Sequence, residues 1–131
     1  MIVADANVIL YALTEGEHTA AAREALENAD SVAVPPLWRL EVANALAVIA
    51  RRGLLTREQA EQVFSGALAT FSSREHEVTP DAALRIAMAS GLSAYDAEYV
   101  ALARELRCPL VTNDGRIIRG AADVAQALVR D

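Results

Sequence analysis

The chain predicts an α/β fold, a mostly parallel sheet of four to five strands with helices on both faces. Two observations carry this expectation. Short apolar runs such as "MIVAD", "SVAVPP" and "CPLVT" alternate with longer stretches of helical periodicity, and such alternation builds parallel sheets covered on both sides. The 131 residues, 53% of them hydrophobic and 23% charged, suffice for one folded domain over 1–131 and are too few for two.

"MIVAD" reads as a first strand buried on both faces and ending on an acid. A helix follows from Asn7 to about Leu13, and "EHTAAAREALENA" makes a second with Arg23, Glu24 and Glu27 outward. "SVAVPP" is a second strand stopped by its prolines. Leu37 to Arg52 is helical, ended by Gly53. "TREQ" at 56–59 is a capping box that opens a helix running to about Thr70. "EHEVT" is expected to be a short third strand, after which Thr79 and Pro80 open another helix. Ser93 caps a helix from Ala94 to Arg107, and "CPLVT" is the fourth strand. Beyond Gly115 the pattern allows either a last strand near Asp123 to Ala125 or a closing helix.

Composition excludes several classes of function. Net charge is −6, against nonspecific nucleic-acid binding through a basic face. All twelve basic side chains are arginine. The lone Cys108 cannot form an internal disulfide, which points to a reducing, cytoplasmic setting, and it opens a buried strand where thiols are inert. No apolar run approaches the roughly 20 residues that span a bilayer, and residues 1–13 do not read as a signal peptide. The mean hydropathy is slightly positive, consistent with apolar surface covered by a second copy or a partner.

Most of the 18 acids occupy polar faces or turns. Four do not. Asp5 closes the first strand and Asp114 the fourth, at the carboxyl ends where α/β sheets bind ligands. Glu41 shares a helical stripe with Leu37, Trp38, Ala45, Val48 and Ile49, and Asp96 one with Tyr99, Val100, Ala103 and Leu106. Each has a structural explanation: a strand-end carboxylate can cap the next helix, and a buried one can pair with an arginine. Arg39, two residues from Glu41, faces another way. Taken together, four clustered carboxylates would repel one another and raise each other's pKa values. A hard divalent cation, Mg²⁺ or Mn²⁺, removes both problems, because such ions take one or two carboxylates and several waters. This is the chemistry of metal-assisted phosphodiester hydrolysis.

"IVADANVIL", "WRLEVANAL" and "LSAYDAEYVALARELRCPLVTND" together resemble the PIN domain across essentially the whole chain, and within that family the VapC-type toxins of VapBC pairs. The resemblance implies a three-layer α/β/α domain and a metal-dependent endoribonuclease whose acidic quartet is Asp5, Glu41, Asp96 and Asp114, binding Mg²⁺ or Mn²⁺ and leaving 5′-phosphate and 3′-hydroxyl ends. Asn7 and Thr112 match polar positions that buttress the acids. It further implies a VapB-type antitoxin partner, an RNA substrate and a homodimer. Some relatives carry another acid after the last aspartate, where "GRIIRGAA" stands here. Arg116 and Arg119 follow the last acid and are candidates for contact with RNA phosphates, or else solvated loop arginines. His18 and His76 stand in polar contexts and are not expected to take part.

Rival readings remain. Phosphatases and receiver domains with strand-end acids use a lysine to hold the phosphoryl group, and the chain has none. A PIN-like scaffold that binds RNA or protein without catalysis, or a housekeeping RNA-processing nuclease, would share the fold.

Overall fold

The computed structural model describes residues 1–128. Four strands, β1 (Ile2–Ala4), β2 (Val32–Ala33), β3 (Leu110–Thr112) and β4 (Ala125–Ala127), form one sheet in the order β2-β1-β3-β4. Every pairing is parallel, with Val3 opposite Ala33 and Leu110, and Val111 opposite Gln126. Among the described residues seven helices surround it: α1 (Ala6–Leu13), α2 (Thr19–Asn28), α3 (Trp38–Arg51), α4 (Arg57–Phe71), α5 (Pro80–Ser90), α6 (Ala94–Leu106) and α7 (Gly115–Gly120).

Successive strand residues point to opposite faces, so the burial of Val3 with Ala4, and of Leu110, Val111 and Thr112 in a row, means both faces are covered. The result is a three-layer α/β/α sandwich. α6 packs on β1 and β3 with α5 along its outer side, while α1 contacts β3, α2 and α3. Trp38, Tyr99, Ile9, Leu102, Leu110 and Ile117 are the largest fully buried side chains. The Trp38 ring meets Phe71 edge-on, with centroids 5.7 Å apart.

Local sequence sets the helix boundaries. Thr56 accepts from Gln59 N–H while the Gln59 side chain accepts from Thr56 N–H, closing both halves of the capping box. Gly53, two residues after α3, and Gly91, directly after α5, take φ of +78°, where a side chain would be strained.

Two expectations need correction. "EHEVT" forms no strand; only an isolated parallel bridge joins Glu75 to Val34, after a single turn of 3₁₀ helix at Ser72–Arg74. Of residues 75–78 only Val78 is apolar and buried, so there is no alternating apolar face to hold against the core. Glu75 is instead fixed by its side chain, accepting from Arg39 at 2.7 and 2.6 Å and from Trp38 Nε1 at 3.1 Å. Beyond Gly115 the alternatives both occur: α7 comes first, and the strand starts at Ala125 rather than Asp123. Asp123 is held in the preceding turn by paired 2.9 Å bonds from Arg104.

The chain leaves β1 toward β2 on one side and leaves β3 toward β4 on the other. The crevice beyond the carboxyl ends of β1 and β3 is therefore the switch point where such sheets bind ligands.

Candidate active site

Asp5 lies one residue past β1 and Asp114 two residues past β3, which puts both in that crevice. Glu41 reaches it from the first turn of α3 and Asp96 from the first turn of α6. The four acids come from four separate chain segments and line one cleft of about 240 Å³, with Ala6, Asn7, Val42, Asn44 and Ala45 completing its walls. Each acid stands at or next to the start of a helix, where the helix dipole presents partial positive charge.

One hydroxyl organises the floor. Thr112 Oγ1, fully buried, donates to Asp5 Oδ2 at 2.8 Å and accepts from the Asp114 backbone N–H at 3.1 Å. Asp114 Oδ1 in turn accepts from Arg116 N–H at 2.8 Å and so caps α7. Asp5 occupies the same position before α1 without capping it; its carboxylate is turned to Thr112. Thr112→Val would strand a buried carboxylate oxygen and an amide together. The expected loss is about 1–3 kcal/mol of stability, read from urea unfolding, with unchanged stability as the outcome that removes Thr112 from this role.

Asp96 owes its place to Ser93, whose Oγ accepts from Asp96 N–H at 3.1 Å and starts α6. It sits at the edge of the buried stripe, half-buried, because that stripe leaves the core in the first turn of the helix. Glu41 is likewise half-buried, and its Oε1 is buried without a hydrogen-bond partner.

The electrostatics follow from burial and from crowding of like charges. Burial, only partly offset by the Thr112 hydroxyl, lifts the Asp5 pKa from 3.8 to about 6, and the charges of Asp96 and Asp114 add to the rise. Glu41 is raised by burial and by Asp5 and Asp96, with the Tyr99 phenol acting against the rise. Asp96 is raised by burial and then by Asp114, while Ser93 and Arg116 oppose.

Asn7 is exposed and faces the cleft from the first turn of α1. Arg116 and Arg119 are exposed beside Asp114. Arg119 folds back on Gly115, where a Cβ would stand 3.0 Å from its Nη1. His76 is exposed, and His18 is half-buried with its ring centroid 4.8 Å from that of Tyr11. Neither histidine lines the cleft. Sequence reasoning missed Asn44, although it lies three residues after Glu41 and so on the same side of α3.

The cleft offers carboxylate and amide oxygens and no thiol or imidazole, a donor set for a hard cation. Among the described residues no three His, Cys, Asp or Glu side chains form a ready-made ligand cluster. A hard divalent cation characteristically keeps most of its waters and takes one or two carboxylates directly.

The family model described as the PIN domain matches residues 2–123. The chain belongs to the PIN-domain family. Among named relatives, this PIN domain is 33% identical over 120 residues to "Ribonuclease VapC3" of Pyrobaculum aerophilum, covering 88% of this chain and 91% of that protein. It is 32% identical over 108 residues to "Exonuclease VapC9" of the same organism, covering 80% of each. Both place it among the VapC proteins. A chain of the toxin–antitoxin complex from Klebsiella pneumoniae has the same fold, with a TM-score of 0.73, 22% identity and 100% of each chain covered. No helix among the described residues is long and apolar enough to cross a membrane.

Proposed function

We propose that this PIN domain is the toxin of a toxin–antitoxin pair, an endoribonuclease that hydrolyses RNA phosphodiesters with Mg²⁺ or Mn²⁺ held by Asp5, Glu41, Asp96 and Asp114. The observation that carries the reading is the meeting of four acids from distant segments in one cleft that no lysine or histidine lines. A bound divalent cation supplies an acidified water and a polarised phosphodiester. The protein's part is positional. Thr112 fixes Asp5 and the Asp114 backbone in one register, Ser93 fixes Asp96, and the half-buried carboxylates of Glu41 and Asp96 orient water in the cleft. Asn7, beside Asp5, joins Thr112 in supporting the acids, and Arg116 and Arg119 lie where the phosphates of a bound strand would pass.

The antitoxin is proposed to be VapB-like. The VapC names of the relatives and the toxin–antitoxin complex of the structural neighbour support it. The surface has room for partners: Leu13, Ile49, Leu54, Leu55 and Val63 line a groove of about 510 Å³. Leu84 and Met88, one turn apart on α5, are exposed apolar side chains suited to a second copy.

Purified protein should cut a circular RNA in Mg²⁺ or Mn²⁺, cease in EDTA, and lose the activity in Asp96→Asn. A circle has no ends, so a substrate cut only when linear would mark an exonuclease, as one relative is named. Activity that survives both EDTA and the mutation would show that the cleft is not the source. No activity under any condition, with the antitoxin stripped away, would favour a binding scaffold.

A further inference from the structure

Tyr99 is fully buried on α6, three residues beyond Asp96, and its hydroxyl has no hydrogen-bond partner. Phenylalanine would fill the same space without that unsatisfied group. On α3, whose Glu41 lines the same cleft as Asp96, the Glu41 Oε1 is also buried and also without a partner. A phenol at neutral pH is a donor and an ionised carboxylate accepts only, so the two orphans are complementary. Bonding the two satisfies both atoms at once, and the Asp5 Oδ2 nearby is already engaged by Thr112.

We propose that Tyr99 is a positioning residue for Glu41: its hydroxyl donates to the Glu41 carboxylate and fixes which oxygen that carboxylate presents to the cleft. The assignment rests on the cleft being a divalent-cation site. Tyr99 itself touches neither ion nor RNA; it restrains a cleft acid whose buried oxygen has no other hydrogen-bond donor in place. Groups in this supporting position characteristically change metal affinity by about 10–100-fold when removed.

Tyr99→Phe deletes the hydroxyl and keeps the ring. Mn²⁺ binding to the full-length protein, followed by the EPR signal of the free ion, should weaken about tenfold or more. In EDTA at pH 7.5 the same variant should have a lower Tm than the parent. That loss should persist in a Glu41→Gln background, which keeps an acceptor, and disappear in Glu41→Leu. The proposal is overturned if Tyr99→Phe leaves Mn²⁺ affinity unchanged and raises Tm equally in all three backgrounds, as removal of a lone buried hydroxyl would. If the parent binds no Mn²⁺ at all, the cation reading of the cleft fails, whereas the Tm comparison in EDTA still decides whether Tyr99 and Glu41 are bonded.

Discussion

Replacing Asp5 with asparagine is expected to abolish RNA cleavage and, in the same protein, to stabilise the EDTA-treated fold at pH 7 and above. The two effects have one cause. Asp5 is 5% exposed and surrounded by acids, and its pKa is lifted from 3.8 to about 6. Holding it ionised at pH 7 therefore costs the fold about 3 kcal/mol relative to the unfolded chain. Asparagine keeps the size and the oxygen that accepts from Thr112, and carries no charge to bury. In the proposed reading that charge holds the cation, and its loss should lower kcat on the order of 10³-fold or more. Urea unfolding and a cleavage assay on the same preparation check both halves. Full activity in Asp5→Asn would remove Asp5 from the site, and a large destabilisation would show that its charge is not a burden to the fold.

Stability should also respond to pH and to metal in opposite ways. Between about pH 4 and 6 the folded protein keeps a proton on Asp5 that the unfolded chain has already released, so stability falls as pH rises through that window. Below it the contribution is fully present; above about pH 6 it is gone. Glu41 and Asp96, also raised, act with the same sign. Glu75 and Asp123, lowered by Arg39 and Arg104, act with the opposite sign, and their effect is confined to pH values below the ordinary carboxylate range. In EDTA, Tm should decline from pH 4.5 to 7. Adding Mn²⁺ to 100 times its Kd at pH 7.5 should return about 2.7 kcal/mol, and both trends should be weaker in Asp5→Asn, where only Glu41 and Asp96 still titrate with this sign. A Tm that climbs across this range in EDTA, or that ignores Mn²⁺ at pH 7.5, would contradict the arrangement of charges described above.

Much of this is legible in the sequence, for reasons that differ by residue. Asp5 and Asp114 were legible because strand ends are marked by where an apolar run stops, and parallel sheets gather those ends together. Thr56, Ser93 and Pro80 were legible because caps act within a single turn of chain. Asp96 was expected on a buried stripe and lies at its frayed edge, since periodicity gives a face and not a depth. The segment at 75–78 misled because its fate depends on Arg39, 36 residues away, which a local pattern cannot see. Tyr99 read as ordinary core. That its hydroxyl and Glu41 Oε1 are both without partners is a property of two helices meeting, and no spacing within either one encodes it.

The bond from Thr112 to Asp5 spans 107 residues of sequence and ties the first strand to the third. A chain still emerging from the ribosome has Asp5, Glu41 and even Asp96 without the strand that would bring them into register. Until residues 110–114 are released and inserted beside β1, the cleft has neither its floor nor its last acid. In the proposed reading, the nascent nuclease is therefore harmless to the message that encodes it and to the RNA of the ribosome making it. Its activity switches on only when β3 has joined the sheet, with that closure as the timer.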